Sequence, residues 1–403
     1  MEIIQRPRYL NHIISHLNKG MMIILVGQRR VGKSFMLLQL QEWLKSTRPQ
    51  ANVLYIDKEK AAFKEMRNWE HLYDYVSARL PEGGDNYLLI DEVQDIEEYE
   101  NALRSLYAEG RCQIVATGSN AYIFSSELST RLSGRYIEIP IYNLSYSEFL
   151  RFHHLEDSDS SLKDFLRIGG LPGLSNYGVD AIQQISDYLQ GVFNTIMFRD
   201  VVARENIRNA KFVDTLAKYI ADNVGKPISS RNIANAMKSQ GEKIADTTVS
   251  AYLDALGKAL LVKPVYRFDI HGKKHFEQND KYYFSDHGLR NLLMGFDVRR
   301  SIEKIIENVI YLFLLQQGYK VTVGVLQKGE VDFVATRMGE TVYIQATYIL
   351  ASEETIRREF GNLAAISDNY PKYVISMDPI SGELEDYPGI KSLNLREFLM
   401  SDF

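Results

Sequence analysis

The sequence predicts an α/β chain led by a doubly wound parallel sheet, followed by a winged helix-turn-helix and a second α/β domain. Three observations predict it. Continuous apolar runs alternate with helical patterns from about residue 20 to 140. Three helical stretches and two β-rich pieces then follow between 209 and 298. Strand and helix patterns return from 299 to 403. Unbroken apolar runs are the mark of strands covered on both faces, and strands separated by helices give βαβ units.

The first run, Met21–Val26, leads into Gly27-Gln28-Arg29-Arg30-Val31-Gly32-Lys33-Ser34 and then the helical Phe35–Leu40. This is the P-loop pattern GxxxxGK[ST] between a strand and a helix. Its glycines let successive N–H groups point into one concavity that holds phosphate oxygens, and the helix adds the positive end of its dipole. Lys33 can reach the β- and γ-phosphates of ATP, and Ser34 can ligate Mg²⁺.

The later runs are Val53–Ile56, Tyr87–Ile90, Ile114–Ala116 and Tyr136–Ile139. The third ends in Asp91-Glu92, which suits a metal-shell ligand (Asp91) beside a general base (Glu92). The fourth ends in Thr117-Gly118-Ser119-Asn120, where Ser119 or Asn120 can orient the attacking water. Arg131 and Arg135 precede the last run, and either can serve as an arginine finger, in cis or across a subunit boundary.

Residues 141–208 read as helical around the breaker Gly169-Gly170-Leu171-Pro172-Gly173, with His154–Ser161 as a polar surface loop. The expected domains are 1–208 (ATPase core with a helical extension), 209–298 (winged helix) and 299–403. In the middle domain Phe212–Asn223, Arg231–Lys238 and Asp246–Leu256 read as helices, and Leu261–Phe268 and Lys281–Phe284 as a hairpin. From Arg199 to Lys281 there are 15 Lys/Arg against 10 Asp/Glu, an excess of 5 in a chain whose net charge is −5. That basic stretch makes duplex DNA a candidate partner. Asp246 and Asp254 on the third helix oppose it. At −5 overall, the chain does not coat nucleic acid along its whole surface.

Composition is that of a globular protein, 45% apolar and 25% charged. The lone Cys112 forms no internal disulfide, and no early run is long enough for a signal peptide or a membrane span. A cytoplasmic protein with no membrane partner is expected.

The chain resembles the prokaryotic AAA-superfamily ATPases that carry a C-terminal domain of unknown function, relatives of the archaeal ATPase and STAND-type groups. The resemblance rests on Arg6-Pro7-Arg8-Tyr9, Gly27–Ser34, Ile90–Gln94, Ala116–Ser119, Ser133–Arg135, Gly169–Pro172 and Phe198-Arg199-Asp200. It implies an ATP-driven switch with a winged-helix module, with Arg6 and Tyr9 near the adenine. The last domain resembles the PD-(D/E)xK nuclease fold. Glu307 and Asp332 stand where that fold has metal-binding acids, but Gln345 and Thr347 replace its second acid and its lysine. A neutral ligand and a hydroxyl cannot supply the missing charge, so nuclease activity is not expected. The function so read is an ATP-binding, Mg²⁺-dependent ATP-hydrolysing switch coupled to a winged-helix module, with duplex DNA as a candidate partner of that module. The alternative is a signalling or scaffold ATPase that forms a homo-oligomer or recruits a protein partner through the last domain.

Overall fold

The structure, a computed structural model, describes residues 4–119, 132, 134–239, 244–272, 274–275, 280–379 and 381–403. It divides into two compact units, Met1–Asn143 with Lys258–Leu260, and Leu144–Gly257 with Leu261–Phe403.

In the first unit α1 (Pro7–His16) precedes β1 (Met22–Val26) and α2 (Lys33–Thr47). Then come β2 (Asn52–Asp57), α3 (Trp69–Ser77), β3 (Asn86–Asp91), α4 (Tyr99–Ala108), β4 (Gln113–Gly118) and β5 (Tyr136–Pro140). The sheet order is β2-β3-β4-β1-β5, with every neighbouring pair parallel. Period-two alternation divides each strand between the two faces. Ile24, Val26, Leu88, Ile90, Ile114 and Ala116 pack in one core with Leu72 and Val76 of α3 and Ala102, Leu103 and Leu106 of α4. Ile23, Leu25, Leu89 and Val115 are buried on the other face, where α2 contacts β2, β3 and β4. All five strands expected from the sequence form. With both faces covered, hydrophobic burial selects unbroken apolar runs, which is why the runs were legible.

The second unit opens with α5 (Tyr146–His153), α6 (Asp159–Ile168) and α7 (Ile182–Thr195), which passes into a π-helix over Ile196–Ala203. The expected polar loop after His153 is shorter than its composition suggested, because Ser158 accepts from Ser161 N and caps α6. Three helices follow, α8 (Ala210–Asp222), α9 (Ser230–Ser239) and α10 (Asp246–Lys258). The helices between 146 and 203 cluster with this unit, whereas the sequence reading had carried the first domain to 208.

The β-rich stretch after α10 is divided. β6 (Val262–Val265) pairs antiparallel with β9 (Lys281–Phe284), as expected of a hairpin's arms. Between them β7 (Arg267–Asp269) and β8 (Lys274–His275) add to the edge of a different sheet. After α11 (His287–Leu293) and α12 (Ile302–Gln316), that sheet is built from β10 (Lys320–Val325), β11 (Glu330–Arg337), β12 (Glu340–Ala346), β13 (Lys372–Ser376), β14 (Gly382–Glu383) and β15 (Ile390–Asn394). Its order is β14-β15-β13-β12-β11-β10-β7-β8. α13 (Glu353–Ala364) places Phe360 and Leu363 in one core with Val331, Val334 and Val374, and α14 (Leu395–Met400) ends the chain. α12 is apolar from Val309 to Leu315 and contacts β10, β11 and β12, and its fully buried Asn308 is paired at both amide atoms. Asn308 accepts from Phe284 N and donates to Phe284 O, both at 2.9 Å.

The breaker at Gly169-Gly170 marks a close backbone crossing within this unit. Gly169 has φ +91°, and a Cβ there would lie 2.6 Å from Gly288 Cα. Conversely, a Cβ on Gly288 would lie 2.1 Å from the Ile168 carbonyl oxygen. Asp286 accepts from Gly170 N at 2.9 Å and from Leu289 N at 3.1 Å, while Asn291 donates to the Leu166 and Arg167 carbonyls. The start of α11 thus supplies the partners that the last carbonyls of α6 lack.

Candidate nucleotide-phosphate site

The first unit brings Gly27–Ser34 at the C-terminal end of β1 beside Asp91 and Glu92 at the C-terminal end of β3, with β4 between them. The loop's shape depends on its glycines. A Cβ on Gly27 would lie 2.2 Å from the Ile141 carbonyl oxygen and 2.9 Å from Val31 Cγ2. Gly32 takes φ +99° to turn the chain into α2, and Arg30 is also left-handed at φ +69°. Val31 is buried, Arg30 and Phe35 are exposed, and Ser34 is half-buried. Lys33 is buried and donates from Nζ to the carbonyls of Gly27 (2.9 Å) and Gln28 (3.0 Å). The Gln28 amide is buried with neither of its polar atoms paired.

Arg6 braces this loop. Its guanidinium donates to the Val31 carbonyl at 3.1 Å, the Tyr142 carbonyl at 2.9 Å and the Asn143 carbonyl at 3.2 Å. Its backbone N–H reaches Gln39 Oε1 on α2, and its guanidinium lies 4.4 Å from the centre of the Tyr9 ring. Tyr9 Oη in turn accepts from Tyr142 N at 3.4 Å. Arg6 is 2% exposed, and these bonds give its guanidinium partners in place of water.

Two acids one residue apart receive opposite treatment. Burial raises the pKa of Asp91 above the ordinary carboxylate value, opposed by hydrogen bonds from Ser34 and Thr117. Burial pushes Glu92 the same way, but the Lys33 ammonium and the Arg29 guanidinium outweigh it, helped by Ser119 and Gln94, and hold Glu92 below its ordinary value. Glu92 is left-handed (φ 55°), an uncommon conformation that clusters at functional sites. Its N–H donates to Thr117 Oγ1 at 2.9 Å, and the Thr117 hydroxyl donates to Asp91 Oδ1. Ser119 Oγ donates to Glu92 Oε2 at 2.9 Å; Gln94 Nε2 donates to the same oxygen and to Ser119 Oγ. The site therefore holds one carboxylate kept ionised by two cations and another bonded to the loop serine, beside a cradle with an ammonium.

The sequence reading missed Thr117 and Gln94 as site residues. Thr117 was findable, since alternation along β4 puts it on the same face as Ser119. Gln94 was not, because its reach back to Glu92 depends on the short helical turn Val93–Asp95. Asn120 and Arg131 lie outside the described residues. Arg135 does not join the site. It immediately precedes β5, its carbonyl accepting from Met22 N, while the phosphate loop follows Val26 at the far end of the paired β1. Five residues of strand separate the two, about 16 Å, so a role at this chain's own loop does not fit its position. Among the described residues no group of three or more His, Cys, Asp or Glu is arranged to hold a metal, and no helix is long and apolar enough to cross a membrane.

Residues 19–150 match the AAA domain, and residues 159–300 match a domain of unknown function, DUF8612. An uncharacterized protein of Haemophilus influenzae is 33% identical over 382 residues, which cover 93% of each chain. An uncharacterized protein of Methanocaldococcus jannaschii is 26% identical over 334 residues, covering 79% of this chain and 72% of that one. Among solved structures, AMPPCP-bound DnaA from Aquifex aeolicus aligns with a TM-score of 0.34 at 16% identity, over 64% of this chain and 89% of that one. The Aeropyrum pernix ORC1 protein in complex with DNA aligns at 0.31 and 13%, over 73% and 94%. Both superpositions are loose. Similarity along nearly the full length of the Haemophilus protein, together with the two domain matches, makes the chain a member of that protein's family, an AAA-domain protein followed by DUF8612.

Proposed function

We propose that the chain binds ATP with Mg²⁺ at Gly27–Ser34, hydrolyses it, and uses the cycle as a molecular switch. The observation that carries this reading is one buried site in which the loop that holds Lys33 lies beside two adjacent acids joined through Thr117, which accepts from Glu92 N and donates to Asp91 Oδ1. In this reading Gly27, Gln28, Arg29, Arg30, Val31, Gly32 and Phe35 shape the cradle, and Lys33 exchanges two backbone carbonyls for phosphate oxygens. Ser34 and Asp91 would hold Mg²⁺, which would supply positive charge to offset that of the phosphates. Glu92 accepts the proton of the attacking water. Arg6 and Tyr9 act by holding the loop beside the base, and Arg135 acts only across a boundary with a second copy. Lys33→Ala is expected to abolish nucleotide binding, read by isothermal titration. Glu92→Gln should retain binding and lose about 10²–10⁴-fold in turnover. Unchanged hydrolysis in both variants would sink the assignment.

The switch is coupled, in this proposal, to duplex DNA bound through residues 209–298 as a winged helix. What favours DNA is the local excess of basic residues, with Arg231 and Lys238 exposed on α9 and Thr247 and Ser250 exposed on α10. ATPase turnover measured with and without duplex DNA across a salt series tests it. Stimulation that falls steeply with salt is expected, because phosphate contacts release counterions. No DNA effect at low salt, with nucleotide-dependent oligomerisation, would favour the partner-recruiting reading through 299–403.

A further inference from the structure

Away from the phosphate loop, the second unit gathers three carboxylates around one ammonium. Lys281, on β9, is 3% exposed at its side chain, and its Nζ lies 2.5 Å from Glu330 Oε1, 3.4 Å from Glu307 Oε1 and 3.7 Å from Asp332 Oδ1. The four residues come from three elements, β9, α12 and β11. Two of the carboxylates, those of Glu307 and Asp332, are held by further hydrogen bonds. Tyr283 Oη donates to Glu307 Oε1, and Ala346 N donates to Asp332 Oδ2 at 2.9 Å. Gln345 Oε1 accepts from the Asp332 backbone N–H at 3.2 Å, and Arg267 Nε lies 4.0 Å from Glu330 Oε2. The backbone at Gly225 closes over Glu307, since a Cβ there would lie 2.3 Å from Glu307 Oε2.

Burial lowers the pKa of Lys281, but the charges of Glu307, Asp332 and Glu330 outweigh it and raise the pKa, so it stays an ammonium. Asp332 moves upward, through burial and the like charge of Glu307, in spite of Lys281. The cluster thus sets three acidic side chains against one buried ammonium, with Arg267 at the outer edge of Glu330. Converging carboxylate oxygens are what hard divalent cations bind, and a compact point charge on a flexible stem can stand in their place.

We propose that Lys281 Nζ is the resident cation of the Glu307–Glu330–Asp332 cluster, occupying the point that a divalent metal ion would otherwise take. The lysine is tethered and nearly fully buried, so a metal has to compete with a cation of unlimited local supply. With it in place the three acids do not form a metal-ligand set, and Gln345 and Thr347 add no charge to recruit one. This goes beyond a missing motif lysine and is independent of the ATPase reading. The site is closed by a cation from β9, and removing that cation opens a metal site.

The test uses the full chain without nucleotide, carrying Asp91→Asn so that the phosphate site does not compete for metal. Free Mn²⁺ is followed by electron paramagnetic resonance. The Asp91→Asn chain should bind no stoichiometric Mn²⁺ at this cluster. Adding Lys281→Ala should create one site per chain, at least tenfold tighter than any in the parent, and adding Asp332→Asn to that variant should abolish it. Lys281→Ala should also lower the melting temperature in EDTA, with part of the loss restored by Mn²⁺. If alanine does not fold, Lys281→Met keeps the aliphatic stem and serves the same measurement. A parent chain that binds Mn²⁺ and loses it on Asp332→Asn would overturn the proposal, as would a folded Lys281 variant that binds none.

Discussion

At the scale of single residues, the phosphate site depends on side chains that hold other side chains. Thr117 is fully buried and joins the two acids, accepting from Glu92 N while its hydroxyl bonds Asp91. Thr117→Val keeps the shape and removes both bonds, leaving a buried donor and a buried carboxylate oxygen short of partners. We expect a loss of about 1–3 kcal/mol in stability, read by urea unfolding, and weaker Mg²⁺-dependent nucleotide binding. Glu92 stays ionised in a buried position because Lys33 and Arg29 offset the cost of its burial. Its neighbour Asp91 lacks such cations and is shifted the other way. A local difference in charge environment shifts adjacent, chemically similar residues in opposite directions.

At the scale of elements, the second unit depends on backbone proximity between the end of α6 and the start of α11. Gly169 and Gly288 allow that crossing, and Asp286, His287 and Asn291 satisfy the groups it exposes. Gly288→Ala would drive a methyl into the Ile168 carbonyl, a backbone atom that cannot rotate away. We expect it to destabilise by about 2–3 kcal/mol or more, lowering the melting temperature while Gly178→Ala, in open space, leaves it unchanged. Arg290 extends the same joint, donating to the Ala221 carbonyl and to Ser301, and burial lowers its pKa to about 10. A helix of seven residues therefore organises the join between helices that are more than a hundred residues apart in sequence.

At the scale of the whole molecule, acid should weaken the fold through histidines that are buried neutral. His153, its ring centred 4.2 Å from that of Phe149 and tilted to it by 36°, is lowered by burial to about 4, and the fully buried His287 is lowered for the same reason. In the unfolded chain both titrate near 6.5. A folded pKa below the unfolded one contributes stability that is present above pH 6.5 and lost as pH falls through the folded value. The melting temperature should therefore fall between pH 6.5 and 4, and His153→Phe, which keeps the ring contact, should flatten part of that slope. An unchanged slope in this variant would remove His153 from the account.

The order of elements and the phosphate loop were determined by the sequence itself, because each is a local pattern. A strand buried on both faces needs an unbroken apolar run, and a phosphate cradle needs glycines and a lysine at fixed spacing, so β1–β5 and Gly27–Ser34 could be read without a structure. The Gly169 breaker was visible too, but its purpose was not, since its partner Gly288 is far along the chain. The division of the 261–284 stretch between two sheets, the position of Arg135 at the wrong end of β5, and the meeting of Lys281 with Glu307, Glu330 and Asp332 were decided only by tertiary structure. Each depends on which distant segments pack together, and long-range pairing follows from the shape of whole surfaces rather than from any spacing in the sequence.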